Sequence, residues 1–215
     1  MCEQAEVGLG AARDPRGPLL IPRILHRTVP TETTPEVETW WDGWIDLHPG
    51  WSFFTWRDPL DPADFPLTAE YWPLCTSGAQ FAGLIRLEVL WRYGGIYLDS
   101  DVAPVRPLDA LLDLNGFSAW EDPHVTPDAV LGAVAGHPGI AACLNDALSH
   151  LGDGAWESGP GATTRNLPQR DDWRVLPSAT FYPYHYSHME RAGDDFSLVE
   201  GCYGVHHWKG SWVKR

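Results

Sequence analysis

Between Ser77 and Val102 the chain reads SGAQFAGLIRLEVLWRYGGIYLDSDV, and no other segment constrains the fold as much. Ser77 followed by Gln80 has the spacing of a capping box, in which each side chain bonds the other's free backbone N–H at a helix start. Phe81, Leu84, Ile85, Leu87 and Trp91 then recur at helical spacing and predict one apolar face. Gly94 and Gly95 stop the helix, because a left-handed residue past its end carries no steric cost when it is glycine. Ile96, Tyr97 and Leu98 form a short strand, followed by Asp99 and Asp101. Side chains two apart on extended backbone point the same way, so both carboxylates are expected to face one site.

Two converging carboxylates repel unless a cation sits between them. Mg²⁺ or Mn²⁺ suits them, since hard cations take oxygen ligands and Mg²⁺ is usually held by one or two carboxylates together with substrate phosphates. A bare D-x-D is also a common acidic turn, so its context decides. That context, Arg86, Leu90, Gly94, Gly95, Ile96, Tyr97, Leu98, Asp99, Ser100 and Asp101 in this order, resembles the DXD-containing glycosyltransferases of carbohydrate-active family 32. The group includes fungal Golgi mannosyltransferases, bacterial capsule enzymes and, more distantly, the glucosylating domains of large toxins.

At 215 residues the chain has room for one sizeable domain, read as residues 21–215 behind a flexible leader at 1–20. A net charge of −14 argues against nonspecific nucleic-acid binding and against a polybasic membrane patch. Cys2, Cys75, Cys143 and Cys202 form no C-x-x-C pair, so neither a zinc site nor a disulfide framework is expected. No signal peptide and no run near ~18 apolar residues is evident, so the expectation is a soluble, cytoplasmic protein without a transmembrane segment.

Ile21–Val29 reads as a first strand, with Ile24 and Leu25 buried. Residues 35–48 have helical spacing, ended by Pro49-Gly50, and WSFFTWRD is a second strand. The likeness extends here through the opening I-P-x-I-x-H and the H-P-G-W turn. Further strands are expected at Phe117–Trp120 and Val130–Ala135, a helix over His137–Leu151, and a glycine-proline loop at ESGPGATTRN. Alternating strands and helices predict an α/β sandwich with a mainly parallel, Rossmann-like sheet, which binds ligands at the carboxyl ends of its strands. The resemblance narrows this to the glycosyltransferase A (GT-A) fold.

The resemblance also implies the site. Asp99 and Asp101 would hold Mn²⁺ (or Mg²⁺), joined by His206 from VHHWKGSWV, with His207 as the competing ligand. His26, Arg27, Gln80, Arg86, Tyr97, Ser100, Gly159, Pro160 and Trp212 would lie on the donor side. Arg86 would bind a phosphate or pin a carboxylate, and Asp122 and Asp128 are polar candidates on the acceptor or sugar side. The implied activity is metal-dependent, retaining transfer of a hexose from a nucleotide-sugar to a glycan or glycoside acceptor. Two positions depart from the pattern: Ala82-Gly83 replaces Ser-Asp ahead of the helix arginine, and Val29 replaces a tryptophan. These departures motivate the alternative of a non-catalytic sugar-nucleotide- or glycan-binding protein. A D-x-D phosphatase is a remoter alternative, because its pattern asks for Thr or Val at Ala103.

Overall fold

The computed structural model describes residues 20–209. The expected leader therefore lies outside the described residues except for Leu20, as do Trp212 and the rest of the terminal S-W-V. A six-stranded sheet forms the centre. Its strands are β1 (Ile24–Val29), β2 (Ser52–Arg57), β3 (Gly95–Leu98), β5 (Gly116–Ala119), β6 (Val130–Ala133) and β7 (Arg174–Leu176), in the order β2-β1-β3-β6-β5-β7. The pairings β1·β2, β1·β3 and β5·β7 are parallel, whereas β6 runs antiparallel to both neighbours. A separate antiparallel ribbon joins β4 (Val102–Pro104) to β8 (Gly204–His206).

Both faces of the sheet are covered, which explains why β3 and β6 are buried at every position. Leu25, Ile96, Leu98 and Phe117 face one core with Trp41 and Trp44 of α1 (Pro35–Leu47). Tyr97, Leu131 and Ala133 face the other, with α2 (Gly78–Tyr93) and α3 (Pro138–Ser149). Helix α1 starts where Thr34 accepts from the Val37 N–H, with Pro35 in its first turn. It stops at His48, whose ring bonds the Trp44 carbonyl at 2.7 Å and accepts from the Leu108 N–H at 2.8 Å.

Helix α2 begins as anticipated, with Ser77 Oγ accepting from the Gln80 N–H at 3.3 Å. The capping box is not reciprocal, because Gln80 Oε1 accepts instead from the N–H and hydroxyl of Thr76, both at 2.8 Å. Nor is one face exposed as expected: α2 is covered almost all round, while Trp91 is 37% exposed. Glu88 is fully buried, accepting from the Thr68 hydroxyl at 2.7 Å and pairing with Arg92 at 3.2 Å. Gly94 and Gly95 have φ of +65° and +98°, and a Cβ on Gly95 would stand 2.6 Å from the Ile24 carbonyl oxygen. The glycine-proline segment is two short helices, α4 (Ala155–Ser158) and α5 (Pro160–Asn166), rather than a loop.

Candidate active site

Strand β3 delivers Asp99 to its carboxyl end, where the Asp99 N–H bonds the Ala129 carbonyl at 2.8 Å. The backbone then turns, closed by Val102 N–H to the Asp99 carbonyl at 3.0 Å. Asp99 and Asp101 thus converge through a turn rather than through the anticipated extended alternation. Ribbon β4·β8 sets Val102 opposite His206 and brings His206 Nε2 within 3.2 Å of Asp101 Oδ1. Ligand atoms of Asp99, Asp101 and His206 all lie within 4.8 Å of one another. His207 faces elsewhere, stacking on Trp40 at 4.7 Å with its Nδ1 at 3.2 Å from the Tyr184 hydroxyl.

Behind this cluster Arg86, 5% exposed, pairs with both Asp99 and Asp128 and lies 4.5 Å from the centre of the Tyr97 ring. Burial opposes its charge, but the two carboxylates outweigh it and hold the guanidinium protonated. Of the two roles anticipated for it, the geometry is that of pinning carboxylates. Burial also pushes the Asp99 carboxyl up to about 6 against the pull of Arg86. In Asp101, burial is outweighed by His206, so its carboxyl lies below the usual range. His206 is raised in turn: burial lowers it, and Asp101 more than compensates. Such a set of two carboxylate oxygens and an imidazole suits a divalent metal that accepts nitrogen alongside oxygen, and His206 Nδ1 is buried without a partner among the described residues.

A cavity of about 520 Å³ opens over this floor. It runs across the carboxyl ends of the strands, from Thr28, Val29 and Asp58 past Asp99, Ser100 and Asp101 to Asp128, Gly159 and Pro160. Arg86, Tyr97, Ser100, Gly159 and Pro160 are thereby brought together with the carboxylates. Three of the anticipated donor residues are not. Strand alternation turns His26 into the α2-side core, where it bonds the Gly94 carbonyl at 3.0 Å and stacks near Phe54, Trp56 and Tyr93. The same alternation turns Arg27 the other way, onto Glu38 and 4.6 Å from the centre of the Trp41 ring. Gln80 spends its amide on Thr76, the Leu151 carbonyl and Ser158.

Asp128 takes a larger place than its sequence context suggested. A Cβ on Gly83 would meet only Asp128 Oδ2, at 3.8 Å. The Asp128 carboxylate therefore stands over the gap that Gly83 leaves on α2. No local motif marks it, because its partner Arg86 is distant in sequence.

Residues 35–118 match the family described as the glycosyltransferase sugar-binding region containing the DXD motif. This stretch is a DXD-type glycosyltransferase region. The chain containing this DXD region is 37% identical over 130 residues to mannosyl phosphorylinositol ceramide synthase CSH1 of Saccharomyces cerevisiae, covering 56% of the chain and 34% of the relative. To the lactosylceramide 4-alpha-galactosyltransferase of Mus musculus it is 26% identical over 219 residues, covering 86% of the chain and 57% of the relative. The chain thus spans between about a third and somewhat over half of the length of these relatives. Among solved structures, the PaToxG glycosyltransferase superposes with a TM-score of 0.56 at 16% identity, over 71% of this chain and 70% of that one. The DXD region is thus carried on a GT-A fold. Among the described residues no helix is long and apolar enough to cross a membrane.

Proposed function

We propose that the chain is a metal-dependent, retaining glycosyltransferase that moves a hexose from a nucleotide-sugar to a hydroxyl of a glycan or glycoside. The observation that carries this reading is that Asp99 and Asp101, whose carboxylates converge with the His206 imidazole, line a cavity that crosses the strand ends. Neighbouring strands are ~4.8 Å apart. A nucleoside over the ends of β2 and β1, near Asp58 and Val29, then places its diphosphate over β3 at Asp99 and Asp101. The sugar extends on toward β6, where Asp128, Gly159 and Pro160 wait.

A divalent ion held by Asp99, Asp101 and His206 would supply charge neutralisation for the departing diphosphate. The chain's own residues do the rest. Arg86 holds Asp99 and Asp128 in fixed orientation, and Asp128 accepts hydrogen bonds from sugar hydroxyls in the space that Gly83 leaves free. In transfer with retention the bond from the anomeric carbon to the phosphate oxygen breaks. The acceptor oxygen bonds that carbon on the same face, and its proton passes to the leaving phosphate. A protein base is not required. The names of the matched relatives, a mannosyl phosphorylinositol ceramide synthase and a lactosylceramide galactosyltransferase, support a glycolipid or glycoside acceptor.

The double variant Asp99→Asn, Asp101→Asn should lose Mn²⁺-dependent binding of nucleotide-sugars while keeping its fold. Thermal-shift titration with UDP, GDP, CDP and dTDP sugars, with and without Mn²⁺, measures this, since a ligand that binds the native state raises the melting temperature. Retained Mn²⁺-dependent binding in the variant would refute the metal placement. The missing aspartate at Gly83 favours one other reading, a nucleotide-sugar-binding protein without turnover. Slow release of free sugar from a bound donor separates the two.

A further inference from the structure

A second cavity, of about 550 Å³, opens at the carboxyl end of β5 and is lined in part by Trp120, Glu121, Asp122, Ser178, His185 and His188. Its position follows from strand order. Trp120 continues β5, Ser178 lies just past β7, and β5 pairs with β6, which Asp128 precedes by two residues. The groove therefore lies one strand beyond the sugar end of the first cavity. Aromatic rings join the groove to the carboxylate cluster: Trp208 has its centre 4.1 Å from that of His206, 5.7 Å from Tyr186 and 6.3 Å from His185, and Tyr182 packs against both His206 and Trp208, at 5.7 and 5.8 Å. Trp208 holds this place at a backbone φ of +53°, which residues other than glycine rarely adopt, and its indole N–H is buried without a partner among the described residues.

The lining has the chemistry of a sugar site. An indole offers an apolar face for the C–H face of a pyranose, and carboxylates accept from adjacent hydroxyls. Glu121 is 10% exposed, with His185 Nε2 3.3 Å from its Oε1. Asp122 spends Oδ1 on the N–H groups of His124 and Val125, at 2.7 and 3.1 Å, and keeps its other oxygen free of a protein partner among the described residues. Among the described residues neither lysine nor arginine lines the groove. A phosphorylated headgroup would thus meet two carboxylates with only histidines to offset them, whereas a neutral sugar has donors for both.

We propose that this groove seats the acceptor and that the acceptor's terminal residue is a neutral glycoside. The inference rests on the transferase reading of the first cavity. In that reading the attacking hydroxyl has to reach the anomeric carbon on the face that the diphosphate leaves, beside Asp99, Asp101 and His206, and the groove adjoins that cluster through His185, Trp208 and His206.

The test is titration calorimetry on the full chain with Mn²⁺ and whichever of UDP or GDP binds. The probes are methyl glycosides of glucose, galactose and mannose, methyl β-lactoside, and glycerophosphoinositol. At least one neutral glycoside should bind, with glycerophosphoinositol weaker by about tenfold or more. Trp120→Ala, and separately the isosteric Glu121→Gln, should each weaken that glycoside by about tenfold, a loss of ~1.4 kcal/mol, with nucleotide affinity unchanged. Retained nucleotide affinity also shows that each variant is folded. Preference for glycerophosphoinositol, binding of no neutral glycoside, or indifference to both substitutions would overturn the groove while leaving the first site standing. Absence of any nucleoside diphosphate binding would overturn the transferase reading, and this inference with it.

Discussion

His26 shows how much a single side chain's direction decides. It sits two residues from cavity-lining Thr28, on the strand that feeds the site, yet it is a core residue with a backbone partner and the Trp56 indole N–H 3.3 Å from Nδ1. Burial lowers its pKa from 6.5 to about 4, although the Gly94 carbonyl favours the charged form. Between those values the unfolded chain binds a proton that the folded chain refuses. Stability contributed by neutral His26 is complete above pH 6.5, declines as pH falls, and levels off below pH 4. The shift corresponds to about 3 kcal/mol. Urea unfolding at pH 7.5 and 4 should show the wild-type chain losing about that much more stability than His26→Gln. His48 and His137, also lowered by burial, remain in both proteins and cancel. Parallel pH profiles would contradict the assignment.

Glycines test the element scale. Gly95→Ala forces a left-handed residue into a Cβ and drives that atom against Ile24, so it should cost well over ~1 kcal/mol in chemical denaturation. Gly83→Ala sits inside α2 with only an ordinary contact to Asp128, and should stabilise by up to ~1 kcal/mol through helix propensity. The reverse order of effects would show that the α2–β3 junction is not built as described. That junction was legible in the sequence because cap, periodicity and glycine stop all lie within one local stretch. Other elements carry no such local record. Gly159-Pro160 reads as loop punctuation, yet Pro160 occupies the first turn of α5, where its missing N–H costs nothing, and Gly161 and Ala162 pack inward. The direction of β6 depends on which strands flank it, which no local pattern encodes. Likewise Asp99, Asp101 and His206 belong to recognisable motifs, whereas Asp128 and Glu121 gain their surroundings only from the fold. Trp91 and Glu88 reverse the expected pattern because α2 is covered on nearly all sides, so the hydrogen bonds available to Glu88 matter more than its charge.

At the scale of the whole molecule, the carboxylate cluster ties the middle of the chain to its last described strand. Asp101 alone accepts from the His207 N–H through its carbonyl at 2.9 Å and from the Lys209 N–H through its carboxylate at 2.8 Å. A cation shared by Asp99, Asp101 and His206 would therefore close a long loop of chain, and ions that bind only the native state add to its stability. Adding Mn²⁺ should raise the melting temperature and slow proteolysis near residues 186–201. EDTA should reverse both effects, and the Asp99→Asn, Asp101→Asn variant should show neither. Equal proteolysis rates with and without Mn²⁺ would argue against this linkage. The strand that closes the loop also has little freedom of spacing. His206, His207 and Trp208 are consecutive, and they address Asp101, the rings of Trp40 and Tyr184, and His185 of the second groove respectively. Inserting or deleting one residue there would shift all three assignments together, so this segment accommodates changes of side chain far more readily than changes of length.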